Sequence, residues 1–346
     1  MSRRSLCYIL ALAGILLFPF TSPAPLVYRA GEGWSYEPVG GAKWQRTRAK
    51  DQFDVAKEAF DKKDYGLAAK ASRRTVKVWP LSDYAPKAQY ILARSYDLQN
   101  KSERAFKEYQ NLIEKYPKAE AYAEVLERQF YISNQFLAGR WFKLWGYIPF
   151  FPSMDKTVDM YDKVIRNGPY SQVAPQAQMN IGKAREKQKD YFMAVKAYER
   201  AADRYHDQKG VAADAVFKAG MAYYKQALEA EYDQSVSGNA IATFSDFITM
   251  FPNDPRITEA DKIITKLKTE QARGATTIAK YYEKRNEYEG AVIYYNEAIA
   301  RDPESKFAAD AKKKIDQLKP KVGAQQARRV KQEEQRAKDF EKEKRK

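Results

Sequence analysis

One histidine, His206, and one cysteine, Cys7, are all that the 346 residues offer toward imidazole or thiol chemistry. A Ser-His-Asp or Cys-His arrangement needs an imidazole beside its nucleophile, and a structural metal site needs a cluster of His and Cys ligands. His206 stands where a helix is expected to close, and Cys7 lies inside an apolar N-terminal run. Neither pattern can be assembled from them, so no catalytic, cofactor-binding or metal-ligating residue is assigned and the chain is read as a non-enzyme. The side chains whose spacing suggests a task are suited to binding. Tyr90, Arg94, Met179, Lys183 and Lys280 fall on the first helices of successive helix pairs, where they form a mixed aromatic and basic wall fitted to an extended peptide. The same positions also read as solvated points on exposed helix faces. A second cluster, Trp141, Trp145, Phe150 and Phe151, belongs to an aromatic stretch between Tyr131 and Ser153. It reads as a hairpin or loop that meets a partner or a membrane interface, or else as a lengthened repeat helix packed on the next pair.

The elements that must position these residues repeat along the chain. Ala105, Tyr109 and Pro117 recur with the same spacing as Ala291, Tyr295 and Pro303, and helical residues four apart share a face. Ala93, Tyr96 and Leu112 complete one window, Gly182, Ala194, Tyr198 and Ala201 another, and Ala279, Tyr282 and Ala298 a third. A weaker window holds Ala56, Ala59, Ala68 and Pro80, with Ser72 and Thr75 in place of larger residues. Two windows are stretched, one through the aromatic segment and one by an insertion near residues 232–238, ahead of Ala240, Phe244 and Phe247. Small residues let two helices approach, aromatics fill the gaps between pairs, and the closing Pro cannot continue a helix. The turns Lys62-Lys63-Asp64-Tyr65, Gln188-Lys189-Asp190-Tyr191 and Arg285-Asn286-Glu287-Tyr288 copy one another.

This pattern resembles the tetratricopeptide repeat. It implies an all-α, right-handed solenoid of about six helix pairs, over residues 49–318, with Ser305–Leu318 as a C-terminal capping helix. Lys319-Pro320 is expected to end the array. Residues 319–346 form a charged tail that can be helical but cannot bury a core of its own.

A narrower resemblance is carried by Leu81-Ser82-Asp83-Tyr84-Ala85-Pro86-Lys87-Ala88 and Ser305-Lys306-Phe307-Ala308, together with closing Tyr-Pro or Trp-Pro pairs. These are similar to the linkers of the BamD family, also called ComL or YfiO, the tetratricopeptide subunits of outer-membrane β-barrel assembly. The resemblance implies a non-catalytic periplasmic scaffold associated with the outer membrane. Its partners would be a barrel-assembly subunit and unfolded outer-membrane proteins. The alternative is a general envelope adaptor that coordinates cell-wall or membrane-surface complexes.

Composition and the N-terminus agree with an exported chain. Residues 1–24 read as a signal peptide or N-terminal anchor: Arg3 and Arg4, an apolar run from Leu6 to Phe20, then small residues. Leu12-Ala13-Gly14 is followed by Ile15 where a lipoprotein signal needs cysteine, so no lipid anchor is predicted. Residues 25–48 form a Gly- and aromatic-rich linker in which regular structure is not expected. The net charge of +16 invites a nucleic-acid reading, but the excess is spread out and accompanies no zinc spacing or RNP-type motif. Nucleic acid is therefore not assigned as a partner. An anionic membrane surface is, through residues 321–346.

Overall fold

The computed structural model describes residues 26–29, 33–36, 44–144, 148–229 and 234–344. Among the described residues the protein consists of thirteen α-helices and two short β-hairpins, a helical-repeat fold. The expected leader, residues 1–24, lies outside the described residues, and so does Trp145. The chain packs as two units, Met1–Pro152 and Ser153–Lys346.

The first unit opens with an antiparallel hairpin, β1 (Leu26–Arg29) and β2 (Gly33–Tyr36), in which Tyr28 faces Trp34 across the register. Regular structure in this Gly-rich stretch corrects the sequence expectation. The Leu-Val-Tyr and Trp-Ser-Tyr runs are strong strand formers, and the glycines fall at or beyond the strand ends. Helices α1 (Ala49–Asp61), α2 (Tyr65–Val78), α3 (Tyr84–Leu98), α4 (Ser102–Lys115) and α5 (Tyr122–Leu137) follow. A second hairpin, β3 (Phe142–Leu144) and β4 (Ile148–Phe151), completes the unit. The aromatic insertion is thus a hairpin, and the lengthened-helix reading is set aside. Phe142 is buried and stacks on Phe136 of α5 at 4.2 Å, which fixes the hairpin root to the helix. Pro149 sits opposite Lys143, a position that a two-stranded ladder tolerates because each strand has a free edge.

The second unit holds α6 (Met154–Asn167), α7 (Ala174–Lys187), α8 (Tyr191–Arg204), α9 (Lys209–Glu229), α10 (Gln234–Met250), α11 (Ile257–Lys284), α12 (Tyr288–Arg301) and α13 (Lys306–Lys344). Part of the expected insertion near residues 232–238 falls in 230–233, outside the described residues.

The repeat spacing has a direct packing cause. Tyr109, Tyr161, Tyr198 and Tyr295 are fully buried in the second helices, and alanines line the facing first helices. At Gly182 even a methyl would overlap the Tyr198 ring, and at Gly220 it would come within 2.9 Å of Phe244. The inter-pair joints are also hydrogen-bonded. Tyr116 donates its hydroxyl to the Pro80 carbonyl at 3.0 Å, and Tyr205 does the same to Pro169 at 3.4 Å.

Four turns share one geometry. Lys63, Asn100, Lys189 and Asn286 all adopt positive φ, between 56° and 62°. The residue after each donates its N–H back across the helix end, as Asp64 does to Ala59 and Asp190 to Arg185. This is the Schellman close of a helix, executed here without glycine. Asp64 and Asp190 then cap the next helix, accepting from Leu67 N at 2.9 Å and Met193 N at 3.1 Å.

The last helix does not stop at Lys319-Pro320. Helix α13 runs through Pro320 to Lys344, because an exposed helix can spare the one hydrogen bond that proline removes. The part just beyond Pro320 still touches α12. Gln325 Oε1 accepts the Tyr288 N–H at 3.2 Å, Lys321 lies over the Tyr288 ring, and Arg329 pairs with Glu289 at 3.2 Å.

Candidate functional site

In the first unit, α1, α3 and the start of α5 enclose a groove of about 1030 Å³. Its position follows from the repeat, since the second helices are occupied with packing and the first helices present a free face. Phe53 and Phe60 of α1, Ile91 of α3 and Leu112 of α4 supply an apolar floor. The rim mixes Lys57, Lys87 and Lys118 with Asp61, Asp83 and Glu124. Tyr90 lines the groove, and its hydroxyl donates to Glu124 Oε1 at 2.6 Å. Burial, reinforced by this bond to a carboxylate, pushes the Tyr90 hydroxyl up to about 12. The hydroxyl keeps its proton, which is donated to Glu124.

One turn further along α3, Arg94 approaches Asp97 at 3.7 Å. Asp97 is almost fully buried, accepts from Tyr109 at 3.0 Å and from Arg128 Nε at 2.8 Å, and so holds two guanidinium groups on one carboxylate. Arg128 in turn lies 4.7 Å from the Tyr131 ring centroid. Arg94 is thereby held beside a buried anion, and it is not among the residues that line the groove.

The remaining expected wall residues fall in the second unit. Met179 is corrected: it is buried among Ala194, Val195 and Tyr198 in the helix-packing core, and forms no open wall. Lys183 is half-buried, and its ammonium is pushed down by burial and by the neighbouring Lys218. Lys280 is exposed on α11. Of the aromatic cluster, Trp141 and Phe151 are exposed at the hairpin root. The side chain of Phe150, like all of Trp145, is outside the described residues.

Sequence reading missed the carboxylates that organise each joint. Asp97, Glu186 and Glu283 each lie twelve residues before the buried tyrosine that donates to them. Each also takes a cation from a following helix: Arg128, Lys225 and Lys314 respectively. The constant interval between acid and tyrosine was legible and could have exposed the device. The groove floor was harder to find, because Phe53 and Phe60 look like ordinary packing residues in the weakest window.

Among the described residues, no group of three His, Cys, Asp or Glu side chains is placed to hold a metal ion, and no helix is long and apolar enough to cross a membrane. Two family models match the chain. One, described as tetratricopeptide repeat, covers residues 87–119, and the other, YfiO, described as outer membrane lipoprotein, covers residues 153–301. No curated protein matches. Among solved structures, a tetratricopeptide-repeat protein from Bacteroides fragilis NCTC 9343 is 16% identical with a TM-score of 0.37, covering 80% of this chain and 99% of that one. The C-terminal part of a repeat protein from Cytophaga hutchinsonii is 15% identical with a TM-score of 0.34, covering 76% and 87%. One from Parabacteroides merdae ATCC 43184 is 14% identical with a TM-score of 0.32, covering 78% and 98%. The YfiO match begins at the first residue of the second unit and ends with α12. Over residues 87–119 the chain resembles the tetratricopeptide repeat, and over residues 153–301 it resembles the YfiO, or BamD, family.

Proposed function

We propose that the protein is a non-catalytic periplasmic scaffold, associated with the outer membrane, that serves the assembly of outer-membrane β-barrel proteins. The observation that carries this reading is the outer membrane lipoprotein match over residues 153–301. On this reading the second unit docks a barrel-assembly subunit. The groove of the first unit receives unfolded client segments. Its apolar floor suits alternate side chains of an extended chain, and its mixed rim tolerates varied sequences. Tyr90 and Arg94 in the first unit and Lys183 and Lys280 in the second are the wall residues proposed to meet such segments.

Depletion of the protein in its own cells tests the reading. The expected result is loss of β-barrel proteins from the outer-membrane fraction, with the non-barrel envelope proteins unchanged. Normal barrel content alongside altered cell-wall material would replace the proposal with the general envelope adaptor.

A further inference from the structure

We propose that the root of the β3–β4 hairpin is a docking surface for an anionic membrane, with Lys101, Arg140 and Lys143 holding phosphate-bearing headgroups and Trp141 and Phe151 entering the interfacial zone. Lys101, Arg140, Trp141 and Lys143 line one depression of about 270 Å³ floored by Phe136. Trp141 is 52% exposed and Phe151 40%, although Phe142 between them in the fold is buried. The Phe136–Phe142 stack holds the root in place, so these two rings are presented outward and not folded in.

The charge around them is one-sided. Among the described residues none of Lys101, Arg140 and Lys143 forms an ion pair. Lys101 Nζ donates to Gln99 at 2.6 Å, and Arg140 donates to the Ser102 hydroxyl. Arg104 adds a fourth cation to the lining, against a single carboxylate, Glu103, which accepts the backbone N–H of Lys143 at 2.7 Å. From Leu144 to Pro152 the sequence carries no charged residue, in a chain that is 31% charged.

The exposed Trp141 and Phe151 rings next to Lys101, Arg140 and Lys143, which form no ion pair among the described residues, match the membrane–water boundary, where Trp and Tyr settle and Lys and Arg reach headgroups. An acidic protein surface would match the cations but leave the exposed Trp141 and Phe151 without a reason. The C-terminal tail is the weaker membrane contact. Beyond Val330 it interleaves seven cations with five anions and has one aromatic, Phe340. The assignment stands apart from the scaffold role, because lipid vesicles contain no protein partner.

The test is co-sedimentation of the protein, purified from its source cells in its native processed form, with phosphatidylcholine vesicles with and without phosphatidylglycerol. Binding is expected only with the anionic lipid, and is expected to weaken steeply with salt. Each cation near the surface is worth roughly fivefold, so combined Lys101→Gln, Arg140→Gln and Lys143→Gln should weaken binding on the order of a hundredfold. Trp141→Ala should weaken it at every salt concentration. Arg140→Lys, which keeps the charge, should bind as the wild type, and thermal melts should show all variants folded. The proposal is overturned if the triple variant binds undiminished, or if only removal of residues 331–346 abolishes binding. It also fails if the wild type binds polyglutamate but no vesicles.

Discussion

The residues that hold the repeats together act in threes, a tyrosine, a carboxylate and a cation. A buried hydroxyl without a partner costs free energy, and the acid twelve residues earlier supplies one at Tyr109, Tyr198 and Tyr295. The cation from a following helix then neutralises the acid. Asp97→Ala should therefore lower stability by about 2 kcal/mol in urea unfolding, because it strands Tyr109 and Arg128 together. Glu58→Ala, which breaks the exposed pair with Lys62, should leave the curve unchanged. Glu283 gives the pH dependence its sign. Burial opposes its charge, but Lys314 and Tyr295 outweigh burial and hold the carboxyl below its ordinary 4.5. Its contribution is complete above that unfolded value and is lost as pH falls through the lower folded one. Glu283→Gln should accordingly flatten the acid side of a stability profile below about pH 4.5, a change readable in urea midpoints taken at stepped pH. Gly182→Ala should cost about 3 kcal/mol, since its methyl would enter the space of the Tyr198 ring in a fully packed joint. The repeat tyrosines and Gly182 could be identified from spacing alone. Their acids stand at a constant twelve-residue interval that the sequence also displays, but contact is what distinguishes such a partner from a solvated charge.

At the scale of the element, the turns and the last helix carry the argument. Lys63 holds a left-handed backbone that a side chain disfavours, so Lys63→Gly should raise stability by about 1 kcal/mol despite the freedom glycine adds to the unfolded chain. The likeness of three turns was visible in sequence, and Asn100 shows that the fourth obeys the same geometry with different residues. The sequence allows a helical tail beyond Lys319-Pro320, and α13 is continuous through the proline. Proline stops a helix when its neighbours need the missing hydrogen bond, and at Pro320 the surface is exposed. Deleting residues 331–346 should leave thermal stability unchanged, whereas deleting 319–346 should lower it by removing Gln325 and Arg329 from α12. The β3–β4 hairpin lay open to two readings because short apolar runs look alike as strand or helix. The antiparallel pairing of Phe142 with Phe151 and of Leu144 with Ile148 decides between them.

For the molecule as a whole, the two units divide the account. The first carries the groove with its apolar floor and the basic hairpin root. The second carries the match to the outer membrane lipoprotein family. A scaffold that brings client and machinery together needs both, and variants can separate them. Tyr90→Ala combined with Arg94→Ala is expected to weaken client capture while leaving partner docking intact. Affinity isolation from crosslinked envelopes, using the full chain, separates a barrel-assembly scaffold from a general envelope adaptor. The account predicts recovery of a barrel-assembly subunit through contacts in residues 153–301, retained in the Tyr90 and Arg94 variant. Recovery of cell-wall proteins without any barrel-assembly component would contradict it.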